Sequence, residues 1–143
     1  MDRREAILER LKAIGEMIAP TVKRMDFDIN DQALPALVVI DGQEGQFGDR
    51  PAAHPGDASH YMRMEPQFVV FLQAATDIGT RLNEVRARLV NACCTDETIK
   101  SITGHKSGCR YEACENGVQI AEGLVGDMLI TFSLVYLLNP REL

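Results

Sequence analysis

Cysteine and histidine are the residue types in this sequence best suited to covalent or metal chemistry. The cysteines are Cys93, Cys94, Cys109 and Cys114, and His105 lies between the two pairs. A structural zinc site usually takes its thiolates from close pairs such as C-x₂-C. Here the pairs are C-C and C-x₄-C, a spacing that fits a zinc site poorly. We therefore expect free, partly buried thiols, and a thiol-metal protein built on these residues stays as an alternative.

The first residues of the chain and the length of its apolar runs indicate the cellular compartment, and with it whether the thiols are expected to form disulfides. The sequence is charged from Asp2 onward, which is untypical of a secretory signal. The longest apolar run, 128–138, is shorter than the roughly 18 residues that a membrane span needs. A disulfide framework is therefore not expected. The sequence predicts a protein assembled in a cytosol, with no membrane partner.

Acidic residues are concentrated between Met25 and Tyr61. The chain has a net charge of −6, and this segment carries all of it, because Arg50 is its sole base. Its acids are Asp26, Asp28, Asp31, Asp41, Glu44, Asp49 and Asp57. Such a balance disfavours nucleic-acid binding through a basic patch. It indicates a solvated loop region, a surface that repels phosphate, or a surface that docks a basic partner.

The elements that must position these residues centre on residues 62–94. In the first part apolar residues alternate with polar ones, which predicts a strand with one buried face: Met62, Met64, Phe68, Val70 and Leu72. Pro66 has no N–H, so its end of the strand is expected at an edge or a bulge. A helix follows to about Cys94, with an apolar stripe at helical spacing: Ile78, Leu82, Val85, Leu89 and Cys93.

Further elements are predicted on both sides of this stretch. A helix runs from an Asp2 N-cap, with Glu5 as its reciprocal partner, to Pro20. A short strand at 21–27 precedes a β-branched strand at 37–40, which Asp41-Gly42 is expected to end. The polar, Gly- and Pro-rich residues 43–60 form a long loop, the tip of a hairpin that joins 37–40 to 62–72.

The last third of the chain is predicted as helical turns at 96–102 followed by strands. A short strand spans 109–114, and Asn116-Gly117 predicts a tight turn after it. If Cys109 and Cys114 share that strand, their odd separation points them to opposite faces. The longest strand, 127–138, is apolar on one face, and its other face mixes Thr131 and Ser133 with Leu129, Val135 and Leu137.

These elements predict a single α+β domain of residues 1–143. Its mainly antiparallel sheet has four to five strands with two main helices packed on it. One domain of this size supplies few elements to cover both faces of the final strand. We therefore expect a neighbouring subunit to cover one of them.

The order of elements and two stretches of sequence resemble a known family. The stretches are LPALVVIDGQE at 34–44 and VVFLQAATDIGTRLNEVRARLVNA at 69–92. In these, the chain resembles the tail terminator proteins of long non-contractile phage tails, also called minor tail protein U-like proteins. The likeness is one of hydrophobicity and length and covers nearly the whole chain.

The resemblance implies a structural protein of the virion. Such a protein has no enzyme activity, no catalytic residue, no metal and no cofactor. It forms a homo-hexameric ring at the head-proximal end of the tail, caps the tail tube, ends elongation and offers a surface for head–tail joining. Its partners are further copies of itself, the tail tube protein, the head–tail connector protein, and DNA that passes without specific binding.

The resemblance gives no residue-by-residue match for these contacts. From the long loop and its acids we expect interactions at Asp41, Glu44, Phe47, Asp49 and Arg50. We also expect some of the acids to face the DNA channel, where carboxylates repel phosphate: Asp26, Asp28, Asp31, Asp41, Glu44 and Asp49. Residues 43–60 are expected to order on the tail tube.

Two alternatives accompany the tail-terminator hypothesis besides the thiol-metal protein. One is another head–tail connector or tail-tube component. The other is a small-ligand-binding module, which would need a pocket with convergent polar groups, and no such cluster is visible in the sequence.

Overall fold

The computed structural model describes residues 1–48, 58–74, 76–121 and 123–143. Over these residues it forms a five-stranded sheet in the order β1-β2-β3-β5-β4 with helices packed on it. In chain order the elements are α1 (Arg3–Glu16), β1 (Thr21–Arg24), β2 (Ala36–Gln46), β3 (His60–Ala74), α2 (Ile78–Cys94), α3 (Glu97–Thr103), β4 (Cys109–Ala121), β5 (Gly123–Leu138) and a 3₁₀ helix (Pro140–Glu142).

The strand pairing confirms the predicted α+β class with a mainly antiparallel sheet. Strands β2 and β3, β3 and β5, and β4 and β5 pair antiparallel, whereas β1 pairs with β2 in parallel. The predicted hairpin between 37–40 and 62–72 is the β2–β3 pair. β3 is the central strand, so both of its edges are hydrogen-bonded.

The core lies between the helices and one face of the sheet, called here the helix-covered face. The predicted alternation in β3 buries Met64, Phe68 and Val70 on this face. The rings of Phe68 and Phe132, from neighbouring strands, meet edge-on at 6.1 Å. The helices bury the predicted stripes against these strands: Ile7, Leu8, Leu11 and Ile14 from α1, and Ile78, Leu82, Val85, Leu89 and Cys93 from α2.

Carboxylates cap two of the helices. Asp2 begins α1 as predicted, and its carboxylate accepts the Arg4 backbone N–H at 3.0 Å. The reciprocal partner is different from the prediction, because the Glu5 carboxylate contacts Arg24 instead. Asp96 caps α3 and also accepts two hydrogen bonds from Arg10, at 2.7 and 3.0 Å, which link α3 to α1.

The prediction that Asp41-Gly42 ends the second strand is wrong. β2 continues to Gln46 through a bulge at which Asp41 and Gly42 oppose Pro66 alone. A proline fits opposite a bulge because it has no N–H to donate to the ladder. Pro66 was predicted at an edge or a bulge. The bulge is confirmed, in β2 opposite Pro66. The edge is excluded, because β3 is the central strand.

The predicted turn at Asn116-Gly117 is also wrong. β4 runs through both residues to Ala121, with Asn116 opposite Met128 and Gly117 opposite Asp127. Pairing along the long strand β5 supplies more ladder hydrogen bonds than an early turn would, so tertiary pairing overrides the local preference.

A second bulge changes the direction of the cysteines on β4. The register shifts between Tyr111 and Ala113, leaving Glu112 as the extra residue. As a result Cys109 lies opposite Leu134 and Cys114 opposite Ile130, and both thiols contact the helix-covered core. The prediction that they point to opposite faces is therefore wrong, because it assumed an unbroken alternation.

The predicted loop at 43–60 is shorter than expected. Residues 43–46 belong to β2, and His60 begins β3. Residues 49–57 lie outside the described part of the chain, and with them two of the predicted interaction residues, Asp49 and Arg50.

Candidate interaction surfaces

Three of the thiols meet where the end of α2 lies against the start of β4. Cys93 and Cys109 are buried, with exposed fractions of 1% and 5%, and Cys94 is half-buried. Hydrogen bonding from the Cys109 thiol lowers the pKa of Cys94 to about 7, against the opposing effect of burial. The same contact raises the pKa of Cys109, and burial raises that of Cys93 to about 12.

His105 has partners other than these thiols. Its Nδ1 lies 2.7 Å from the Ser107 hydroxyl, and its ring packs edge-on against Tyr61 at 5.3 Å. Across the described ranges, no three His, Cys, Asp or Glu side chains come together as a possible metal site.

Asp41, a predicted interaction residue, is bound within the protomer by Arg24. The Arg24 guanidinium on β1 donates two hydrogen bonds of 2.8 Å to its carboxylate. Arg24 also contacts Glu5 at 2.6 Å and Glu9 at 3.0 Å on α1. The hydrogen bonds from Arg24 hold the pKa of Asp41 below its ordinary value. Because Arg24 neutralises its charge, this carboxylate is poorly available for an ion pair with another protein.

Glu44 is likewise held within the protomer. Its carboxylate lies 3.1 Å from Nε of Arg4 and accepts a hydrogen bond from the Tyr136 hydroxyl. Burial, with the Glu44 contact second, raises the pKa of Tyr136. The Glu44 side chain is 23% exposed, so its reach toward a partner is small.

The other acids of the first strand connection are exposed. The β1–β2 connection, residues 25–35, carries Asp26, Asp28 and Asp31 at its surface. Lys23 lies 3.6 Å from the Asp26 carboxylate and also donates to the Asp28 backbone carbonyl. The carboxylates of Asp28 and Asp31 have no hydrogen bond or ion pair in the described part of the molecule. Large apolar side chains are exposed on the same connection: Met25 at 55%, Phe27 at 52% and Leu34 at 38%.

A cleft of about 380 Å³ lies near the other edge of the sheet and is called here the basic cleft. Its lining includes Phe47, Arg63, Lys106, Arg110, Ser133 and Val135. These residues come from the end of β2, from β3, β4 and β5, and from the turn between α3 and β4. The sequence did not reveal this cluster, because residues far apart in the chain meet only when β3, β5 and β4 pair.

The charges of the basic cleft are only partly compensated. Arg63 lies 3.6 Å from Glu112, whose carboxylate accepts a hydrogen bond of 2.6 Å from Ser133. Within the described ranges the side chains of Lys106 and Arg110 have neither a hydrogen bond nor an ion pair. Two uncompensated cations thus stand beside an exposed aromatic ring, since Phe47 is 41% exposed.

The face of the sheet opposite the helices is called here the open face, and β5 places apolar residues at both ends of it with Thr131 and Ser133 between them. Val69 of β3 lies opposite Leu129 of β5, and Phe71, Val135 and Leu137 point to the same side by strand alternation. None of these side chains belongs to the core cluster under the helices; Val135 is nevertheless buried, and the others are half-buried. No described helix packs on this face. The surface that the sequence predicted to need a neighbour is therefore present.

Neither protein-family profiles nor curated protein sequences gave a match to this chain. The resemblance to tail terminator proteins thus stays a prediction. Among the helices in the described ranges, none has the length and apolar character to cross a membrane.

The structure brings only some of the predicted interaction residues to free surface. Phe47 stands at the rim of the basic cleft, whereas Asp41 and Glu44 are bound to arginines of their own protomer. Asp28 and Asp31, whose carboxylates have no partner in the described ranges, belong to the wider acidic set.

Proposed function

We propose that this protein is a structural virion component that assembles into a ring, caps a phage tail tube and ends its elongation. The open face of the sheet carries the proposal. In β5, Leu129 stands on that face opposite Val69 of β3, and Val135 and Leu137 stand at its other end, beyond Thr131 and Ser133. A second subunit packed there would remove the half-buried Val69, Phe71, Leu129 and Leu137 from water, which is the main favourable contribution to association. Val135 is already buried within the protomer.

The location of the open face suits a ring. It is formed by strands in the middle of the sheet, and the helices occupy the other face. A contact between this face and a different surface of the next copy is heterologous, and such contacts close into rings when the rotation between copies allows it. The resemblance to tail terminators supplies the expectation of six copies.

The remaining roles follow from the ring. One side would stop the growing tail tube, and the other would offer a surface to the head–tail connector. DNA would pass through the opening without specific binding, since exposed carboxylates on its wall would disfavour phosphate contact. None of these roles requires a catalytic group or a cofactor.

Electron microscopy of the purified protein, with light scattering across a concentration series, tests the proposal. Rings of six, and tail tubes of uniform length when the protein is added to polymerising tail tube protein, are expected. Monomers at every concentration, together with no rings in the presence of tubes, would refute it. Rings that leave tube length unregulated would assign the neighbouring head–tail connector role instead.

A further inference from the structure

We propose that the β1–β2 connection of one copy docks in the basic cleft of the next copy. This inference rests on the proposed ring and specifies which two surfaces meet in it. The contact joins an acidic, apolar segment to a basic, apolar cleft, so charge and hydrophobicity match on both sides.

The basic cleft has the chemistry of a docking site for carboxylates. Lys106 and Arg110 bring two positive charges without an ion-pair partner in the described ranges, and Arg63 is shared with Glu65 and Glu112 at 3.5 and 3.6 Å. Both Lys106 and Arg110 are exposed. Phe47 and Val135 add apolar surface to the same cleft.

The β1–β2 connection has the complementary chemistry. Asp28 and Asp31 are exposed and carry free carboxylates, while Phe27 and Leu34 expose apolar side chains nearby. An aromatic or aliphatic side chain seated in a cleft and flanked by ion pairs is the usual anatomy of a specific interface. An alternation of acids and apolar residues therefore fits the cleft better than a purely acidic chain would.

The two surfaces lie at opposite edges of the sheet, so they do not meet within one molecule. The connection adjoins β1, at one end of the strand order, whereas Arg110 lies on β4, at the other end. Two different patches on opposite edges make a head-to-tail contact between copies. Such a contact also brings the open face of one copy, where the basic cleft lies, toward its neighbour.

Charge reversal tests the contact directly. One variant carries Lys106→Glu and Arg110→Glu in the cleft, and another carries Asp28→Lys and Asp31→Lys on the connection. Each places like charges against each other, so each alone should weaken association at least tenfold in light scattering at low salt. The effect should shrink at high salt, because screening weakens interactions between exposed charges.

Mixing the two variants is the decisive part of the experiment. The reversed cleft of one variant then faces the reversed connection of the other, so alternating rings of the normal size are expected. Combining all four substitutions in one chain should restore assembly in the same way. Matched controls reverse exposed charges on the helices instead: Arg81→Glu with Arg88→Glu, and Glu16→Lys with Glu84→Lys. These controls should assemble as the unmodified protein does.

The outcomes separate this inference from the proposed function. Rings that form unchanged in both reversed variants would overturn the docking contact and leave the ring proposal standing. Loss of assembly that mixing does not repair, in variants with unchanged thermal unfolding, would overturn the pairing of these two surfaces. An unmodified protein that stays monomeric, with or without tail tubes, would refute the ring and the contact together.

Discussion

Arg24 and Asp41 form a two-point ion pair in which Nε and Nη2 each lie 2.8 Å from a carboxylate oxygen. The pair joins the edge strand β1 to the bulge of β2, where the chain changes register against β3. Both side chains are about one-fifth to one-quarter exposed, at 20% and 24%. Partial burial with two aligned hydrogen bonds makes this pair stronger than a fully exposed one.

Replacing Asp41 with alanine should lower the free energy of unfolding by roughly 1.5–3 kcal/mol, the range for hydrogen bonds to charged groups. The loss arises because Arg24 keeps only its contacts to Glu5 and Glu9. Urea denaturation at pH 7 measures it. Asp31→Ala is the control, since exposed substitutions without partners usually stay within about 0.5 kcal/mol. Equal stability of the two variants would show that the ion pair contributes nothing.

The same pair should make stability depend on pH in the acid range. The pKa of Asp41 is lower in the folded protein than its ordinary value of 3.8, chiefly through the Arg24 hydrogen bonds. A carboxyl with a depressed folded pKa contributes stability above its unfolded pKa and loses it as pH falls through the folded pKa. The stability difference between the unmodified protein and Asp41→Asn should therefore be full near neutrality and shrink below about pH 4. A difference that is constant from pH 7 to pH 2 contradicts this.

Gly42 should not tolerate alanine, whereas Gly45 on the same strand should. Gly42 has a φ of +74°, and a Cβ there would stand 1.9 Å from the Glu65 carbonyl oxygen. Left-handed strain and the clash with backbone together predict a loss of roughly 2–4 kcal/mol. A Cβ at Gly45 meets nothing within 4 Å. Thermal unfolding of both variants compares them, and a well-folded Gly42→Ala protein with unchanged stability would refute the bulge geometry.

Cys94 should be the thiol that alkylates most readily near neutral pH. Its pKa is lowered to about 7 by the Cys109 hydrogen bond, and the thiolate is the reactive form. Mass spectrometry after timed iodoacetamide labelling identifies the site and the pH midpoint. Cys109→Ala should move that midpoint toward the ordinary thiol value, and Cys114→Ala should leave it unchanged. Preferential labelling of buried Cys93, whose pKa is raised to about 12, would contradict the assignment.

A charge on the open face should prevent assembly without unfolding the protomer. Leu129→Lys places an ammonium group beside Val69, its partner on β3, where a neighbouring subunit would have to desolvate it. Light scattering should show monomers, while urea denaturation stays close to that of the unmodified protein. Thr80→Lys, on the exposed side of α2, is the control and should still assemble. Rings formed by Leu129→Lys would exclude the open face as an interface.

Local patterns in the sequence were sufficient for the helices and for the buried faces of the strands. The sequence shows which side of each element is buried through the period-2 alternation of Phe68 and Val70 and the helical spacing of Leu82 and Leu89. That information is local, because the period follows from backbone geometry alone. The Asp2 cap is local for the same reason, since its carboxylate bonds N–H groups of the next residues.

The tertiary structure alone decided where alternation breaks and which distant residues meet. The bulges at Asp41-Gly42 and Glu112 depend on the pairing strand, so Cys109 and Cys114 face one side despite their odd separation. The continuation of β4 through Asn116-Gly117 depends on β5 in the same way. Arg63, Lys106 and Arg110 form one cleft only because β3, β5 and β4 are neighbours in the sheet. Sequence spacing carries no record of these contacts, since strand order and register are set by the packing of the whole sheet.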